Sequence, residues 1–143
     1  MANILKGKRN GALTIKPTAT VRQLAESLRS AKVGVMIVSS DGQAVEGIVS
    51  ERDIAYGLAM HGGAALQEMK VADLMTRSVI TCSPQDKIVE VSKTMILRGI
   101  RHLPVVDGQQ LVGVVSIRDV LRSRISEIEL EASVLRDMAI ASR

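Results

Sequence analysis

The sequence predicts an α/β (α+β) fold: two β-α-β-β-α repeats packed about a pseudo-twofold axis, with an extended C-terminal helix. Three observations carry that prediction. First, the chain is one pattern written twice. Pro17 matches Pro84, Val21 matches Ile88 and Leu28 matches Met95 at a spacing of 67; after one deletion, Asp41-Gly42 matches Asp107-Gly108, Gly47 matches Gly113, Ser50 matches Ser116 and Asp53 matches Asp119 at 66. Second, within each copy the apolar residues switch from helical to extended spacing and back. Third, a three-stranded sheet with two helices is too small to bury both faces of its sheet, so two copies must pack together.

The elements follow in order. A short extended segment, residues 12 to 15 and 79 to 81, precedes Pro17 or Pro84 closely, and the residue before a proline is disfavoured in helix. Helices are predicted from Thr20 to Ala31 and from Lys87 to Arg98. Val21, Leu24, Ala25 and Leu28 share one face of the first, and Ile88, Val91, Ser92 and Met95 one face of the second. VGVMIV and RHLPVV read as buried strands, and Asp-Gly marks the hairpin turn that leads to AVEGIV and QLVGVV. SERDI and SIRDV open a second helix, with serine at the N-cap. The final helix runs from Ile117 to beyond Met138. Leu121, Ile125, Ile128, Ala132 and Leu135 recur on it at three- and four-residue spacing, and a second subunit is the simplest cover for such a stripe.

The predicted organisation is therefore repeat 1 over residues 10–60, a connecting segment over 61–77, repeat 2 over 78–122 and a helical extension over 123–143, together one module. HGGAALQEMKVADLMTRS starts with a Gly-Gly break and carries Val71, Leu74 and Met75. It reads as a segment docked on the core and not as a free linker.

At 143 residues the chain suits one domain, or two halves sharing one core. Hydrophobic residues make up 46% with no Phe or Trp and a single tyrosine, Tyr56, so the core must be Val, Ile, Leu, Met and Ala. That composition argues against single-stranded nucleic acid as ligand, which needs aromatic stacking platforms. The net charge is +4, yet 19 basic residues are interleaved with 15 acidic ones, the pattern of a solvated mixed surface. One cysteine, Cys82, cannot form an internal disulfide, and no cysteine and histidine cluster has zinc spacing. A reducing, cytoplasmic setting fits best. MANILKGKRNG lacks the apolar run of a signal peptide and no 18-residue apolar segment occurs, so no membrane association is expected.

Chemistry concentrates in GIVSERDI and GVVSIRDV. Gly47 and Gly113 sit inside strands, where glycine permits close approach of a ligand. Ser50 and Ser116 open helices, whose N-termini offer unpaired N–H groups to a phosphate. Asp53 and Asp119 can each accept two hydrogen bonds, which suits the adjacent hydroxyls of a ribose. The same Ser-x-x-Asp is also a capping box that satisfies the helix's own donors. Occurrence of the whole strand-to-helix signature twice favours a ligand.

Those two segments match the Gly-x-x-Ser/Thr-x-x-Asp signature of the cystathionine β-synthase-type (CBS) family, and GIRHLPVVDGQQLVGVVS and VADLMTRSVITCSP are similar to its second hairpin and its lead into a second repeat. Over about residues 10 to 122 the chain resembles a stand-alone CBS pair, or Bateman module. The resemblance implies a non-enzymatic sensor that binds AMP, ADP, ATP or NAD(H) in clefts between the repeats, with no catalytic residue, no metal and no catalytic cofactor. It implies regulation through dimer packing or an effector protein acting in trans. The Asp53 cleft would use Ser50 and Arg52, with Thr81, Ser83, Arg101 and His102 from the second repeat. The Asp119 cleft would use Ser116 and Arg118, with Thr14, Lys16, Gly34 and Val35 from the first. Arg101-His102-Leu103-Pro104 resembles the family's phosphate grip, whereas Gly34-Val35-Met36-Ile37 has neither charge nor proline, so phosphate is expected to favour the Asp53 cleft.

Two other classes compete with the sensor. An enzyme of nucleotide metabolism would need a P-loop, paired carboxylates or a metal cluster, none of which the sequence offers. A dimerisation scaffold with vestigial clefts is the alternative. His61, beside Gly62-Gly63, reads as an exposed histidine. Cys82 has no base beside it and reads as packing. The seven methionines read as core filler, and Lys6, Lys8 and Arg9 as a basic terminus.

Overall fold

The computed structural model describes residues 13–142; Lys6, Lys8 and Arg9 lie outside them. The first repeat consists of β1 (Thr14–Ile15), α1 (Val21–Ala31), β2 (Val35–Val38), β3 (Gly47–Ser50) and α2 (Glu51–His61). Two short helices follow, α3 (Gly63–Glu68) and α4 (Val71–Leu74). The second repeat contributes α5 (Ile88–Arg98), β4 (His102–Asp107), β5 (Gln110–Ser116) and α6 (Ile117–Ala141). The predicted segment at 79–81 is replaced by a single parallel bridge one residue later, Cys82 to Val105. Cys82 N–H donates to the Pro104 carbonyl at 3.0 Å, and Val106 N–H to the Cys82 carbonyl at 2.8 Å.

In the first sheet β1 runs parallel to β2, and β2 antiparallel to β3, with Val35 opposite Ser50. β4 and β5 form the second, antiparallel sheet, with a bulge between Val105 and Val106 and His102 opposite Ser116. Asp-Gly builds two different turns. Asp107 pairs with Gln110 around Gly108 at φ +63°, a tight turn. The Asp41 loop is longer: its carboxylate accepts from Gln43 N–H at 2.8 Å, Ala44 N–H at 2.9 Å and the Ser39 hydroxyl at 3.1 Å. Those bonds, the one from Ala44 foremost, hold the Asp41 carboxyl below its ordinary pKa.

Capping sets where α1 begins. Thr20 Oγ1 accepts from Gln23 N–H at 3.1 Å, while Gln23 Oε1 accepts from Thr20 N–H at 2.9 Å. Val21, Leu24 and Leu28 are buried along the helix, but Ala25, predicted on the same face, is exposed. The buried stripe is thus narrower than the sequence pattern, limited to the residues that join the first core cluster or lie beside it.

One shared core was expected; two clusters are found. Ile15, Leu24, Leu28, Met36, Val38, Val49 and Val71 form one, and Cys82, Val91, Met95, Leu103, Val105, Val115 and Val120 the other. The alternation of a strand explains how the halves still belong together. Met36 and Val38 face the helices of their own repeat, so Ile37 points to the opposite face, yet it too is 0% exposed. Pro104, between Leu103 and Val105, is equally buried. The sheet faces turned away from each repeat's own helices are therefore closed to solvent at Ile37 and Pro104 as well. A hydrogen bond from Leu111 N–H to the Gln43 carbonyl, 2.8 Å, crosses between them.

The connecting segment is docked, as its apolar pattern required, though its two helices were not anticipated. Val71 N–H donates to the Ala19 carbonyl and Val21 N–H to the Met69 carbonyl, both at 2.8 Å. Thr76 exchanges hydrogen bonds with Ile48 at 2.9 and 3.0 Å, adding one residue to the outer edge of β3. This explains Gly47: a Cβ there would meet Met75 Sδ at 2.7 Å and the Thr76 carbonyl at 3.0 Å. The glycine admits the connecting segment, and not a ligand as the sequence pattern had indicated. Gly47→Ala is expected to destabilise the fold by about 1–3 kcal/mol, the usual cost of overpacking, as read by urea denaturation; an unchanged midpoint would mean that the connecting segment yields freely.

Candidate functional site

A cavity of about 450 Å³ opens between the repeats. That volume is within the range of small-molecule sites. The β2–β3 register creates one wall. Because Val35 lies opposite Ser50, and Glu51 N–H donates to the Gly34 carbonyl at 3.0 Å, the start of β2 stands beside the N-terminus of α2. Ser50, Glu51, Arg52 and Asp53 therefore line the cavity together with Gly34 and Val35. The second repeat supplies Gly99, Ile100, Arg101 and His102, and the chain leading into it supplies Thr76, Ser78, Val79 and Ile80. Ile48, Val79, Ile80 and Ile100 give aliphatic surface, and no aromatic side chain other than the His102 imidazole lines the cavity.

Both Ser-x-x-Asp motifs act as caps. Asp119 Oδ2 accepts from Ser116 N–H at 2.8 Å and from its hydroxyl at 2.9 Å, and Asp119 N–H donates back to Ser116 Oγ at 3.2 Å. Asp53 Oδ2 likewise accepts from Ser50 N–H at 2.8 Å and from Ser50 Oγ at 3.1 Å. A carboxylate has acceptor capacity on both oxygens, so a cap made through Oδ2 leaves the acceptor capacity of Oδ1 to Asp53, which lines the cavity. Ser116→Ala is expected to cost about 1 kcal/mol through the lost cap, measurable as a lower thermal midpoint; no loss would show that other donors hold the start of α6.

The structure brings Ser50, Arg52, Asp53, Arg101 and His102 to one cavity but distributes the other sequence candidates differently. Gly34 and Val35, assigned from the family resemblance to the Asp119 cleft, line the Asp53 cavity, because antiparallel pairing returns β3 to the start of β2. By the same register Ile117 N–H donates to the Arg101 carbonyl at 2.9 Å, and His102 lies opposite Ser116. Arg101 and His102 thus adjoin both helix starts, and the expected contrast between a charged and an uncharged cleft loses its basis. Thr81 and Ser83 are not among the residues lining the Asp53 cavity, whereas their neighbours Val79 and Ile80 are. Ser83 is engaged in the turn before α5, its N–H donating to Asp86 Oδ2 at 2.9 Å.

Thr14 and Lys16 line a separate, open groove along α1 with Gln23, Glu26 and Ser27. Ser116, Arg118 and Asp119 stand at the start of α6. The residues equivalent to Thr76, Ser78 and Val79 lie 67 positions earlier, outside the described residues, so only one side of an Asp119 cleft is described. The sequence reading missed Ile48, Val49, Glu51, Thr76, Ser78, Val79, Ile80, Gly99 and Ile100. The apolar pair Val79-Ile80 just ahead of Thr81 was the available signal.

Among the described residues no group of three or more His, Cys, Asp or Glu could hold a metal ion, and no helix is long and apolar enough to cross a membrane. His61 is exposed at the end of α2. Cys82 is buried, and burial, reinforced by the Asp86 carboxylate, pushes its thiol up to about 11. A thiol raised in the folded state stabilises the fold fully below its ordinary pKa of 9.0 and loses that contribution as pH rises toward 11. Native Cys82 is accordingly expected to resist alkylation at pH 8 and to react once the chain is unfolded; rapid labelling of the native protein would contradict its burial.

The profile of the CBS domain matches residues 9–59 and 71–126. Among curated proteins, the mitochondrial CBS domain-containing protein CBSX3 of Arabidopsis thaliana is 34% identical over 112 residues, 76% of this chain and 54% of that protein. The chain spans about half the length of the curated relatives it matches. Among solved structures, a CBS-domain containing protein from Agrobacterium tumefaciens superposes with a TM-score of 0.80 at 31% identity, covering 87% of this chain and 98% of that one. The CBS domain pair of protein MJ0100, in complex with 5′-methylthioadenosine and S-adenosyl-L-methionine, gives a TM-score of 0.76 at 22% identity, covering 87% and 96%, a likeness of fold alone. Two profile matches in register with the internal repeat, and the shared fold, lead to one conclusion: this chain belongs to the CBS domain family and carries a pair of its repeats.

Proposed function

We propose that this CBS pair is a regulatory module whose inter-repeat cleft binds an adenosine-containing ligand, AMP, ADP, ATP or NAD(H), and reports it through subunit packing or an effector protein in trans. The observation that carries this reading is the convergence of Asp53, Arg52, Arg101 and His102 with an aliphatic surface on one cavity. A carboxylate matches ribose hydroxyls, guanidinium groups match phosphate, and Ile48, Ile80 and Ile100 match the flat faces of a base. A CBS pair of the same fold holds 5′-methylthioadenosine and S-adenosyl-L-methionine, which adds two probes to the set. The single buried thiol accords with a reducing cytoplasm.

Regulation requires two states with different ligand affinity. The module, over residues 10–122 with the helical extension beyond, is proposed to work as a homodimer. Tyr56, Leu58 and Met60 on α2 and Ile96 and Leu97 on α5 are all more than half exposed and would be covered by a second copy. The scaffold reading draws on the capping geometry, since Asp53 and Asp119 both have a structural task in the absence of any ligand. Thermal melting separates the two. A ligand at 100 times its Kd stabilises the folded state by about 2.7 kcal/mol, so at least one adenosine compound is expected to raise the midpoint by several degrees. No shift with millimolar AMP, ATP, NAD or S-adenosylmethionine would favour the scaffold.

A further inference from the structure

α6 has 25 residues, roughly 37 Å at 1.5 Å per residue, and from Arg124 to Ser142 every residue is exposed. Leu121, Ile125, Ile128, Ala132, Leu135 and Ala139 recur along it in alternating steps of four and three. This is the 3.5-residue period of a coiled-coil seam, in which Ile125, Ala132 and Ala139 take the a positions and Leu121, Ile128 and Leu135 the d positions.

The charges beside that seam select its partner. Arg124 and Glu131 fall at g, and Glu129 and Arg136 at e. In a parallel, in-register pair each g residue meets the e residue of the next heptad across the seam. Arg124 then faces the partner's Glu129, and Glu131 faces the partner's Arg136, every pair of opposite sign. An antiparallel pair keeping the same seam sets e against e and g against g. With the whole seam overlapped, Leu121 opposite the partner's Ala139, it brings Glu129 to the partner's Glu129, Glu131 to the partner's Glu131 and Arg122 to the partner's Arg136, every pair of like sign; a shift of one heptad that sets Arg122 against Glu129 and Arg124 against Glu131 takes Leu135 and Ala139 out of the apolar seam. The intrahelical pair of Arg124 with Glu127, 3.0 Å, is half exposed and competes only weakly.

We infer that α6 pairs with α6 of a second copy as a parallel, in-register, two-stranded coiled coil, a proposal that rests on the homodimer reading above and fixes its orientation. Both modules then lie at the same end of the coil. The Asp119 ends of the two helices are neighbours, so a ligand at either helix start changes the splay of the pair. Alanine at two a positions makes the coil a modest contributor that orients the dimer more than it holds it. Leu130, Val134 and Ile140 fall outside the seam and stay at the surface of a two-stranded coil.

The test uses the full chain with Cys82→Ala. Ile125→Cys and, separately, Leu135→Cys are oxidised at micromolar protein, with Leu130→Cys as the outward-facing control. Each of the first two variants is expected to form its own disulfide-linked dimer, and the control none. Linkage only in a mixture of Ile125→Cys with Leu135→Cys would mean antiparallel pairing and overturn the inference. By sedimentation, Arg124→Glu is expected to weaken the dimer about tenfold, and Glu129→Arg in the same chain to restore it; failure of restoration, or a tetramer, also overturns it. A dimer that does not crosslink at 125 or 135 removes the coil and leaves the homodimer standing. A monomer removes both, and neither result bears on ligand binding.

Discussion

Leu24→Ala is expected to lower the melting temperature by roughly 10 °C. Leu24 is 0% exposed and central to the first cluster, and truncating such a leucine costs about 2–5 kcal/mol, with about 2–4 °C per kcal/mol for a chain of this size. Leu103→Ala, at 1% exposure in the second cluster, is expected to do the same. Each variant should still unfold in one calorimetric transition although the lesions lie in different clusters. The expectation rests on the burial of Ile37 and Pro104, each on a sheet face turned away from the helices of its own repeat, and on the hydrogen bond from Leu111 to Gln43 that joins the repeats. Two transitions in Leu24→Ala, one at the wild-type temperature, would show that the repeats unfold independently.

Arg101→Ala is expected to weaken AMP about tenfold to a hundredfold while leaving adenosine nearly unchanged. A hydrogen bond to a charged group contributes roughly 1.5–3 kcal/mol, which converts to that range of affinity, and only the phosphorylated ligand uses it. Asp53→Asn is expected to weaken both compounds, because it removes an acceptor for the ribose. Its carbonyl can still receive the Ser50 N–H, so the fold should lose less than about 1 kcal/mol from the weaker charge at the helix start. Titration calorimetry of the two variants with the two ligands decides the matter. Equal losses of AMP and adenosine in Arg101→Ala would make this arginine a structural residue. Because Arg101 and His102 also adjoin the start of α6, any second site is expected to weaken in Arg101→Ala as well.

Local signals carried much of the architecture. Thr20 with Gln23, and Ser116 with Asp119, are complete capping boxes within four residues, so the starts of α1 and α6 were readable without any tertiary information. The repeat pairing Ser50 with Ser116 located two helix starts, and the one at α2 forms part of the candidate site. What local pattern could not specify was which segments meet. Two tight turns were read from two Asp-Gly pairs, but the side chain of Asp41 organises a longer loop, an outcome set by Gln43, Ala44 and Ser39 together. Ala25 had the right spacing for burial and lacked a neighbour to bury it.

The sequence by itself determined the repeat, the order of elements, the aliphatic core and the two Ser-x-x-Asp helix starts, because each depends on spacing within a few residues or on composition. Tertiary structure alone decided that Gly34 and Val35 join Asp53, since strand register is a contact between segments distant along the chain. It also decided that Gly47 makes room for Met75 and Thr76 and not for a ligand. A missing Cβ records only that something comes close, and the identity of the neighbour is fixed when the chain folds.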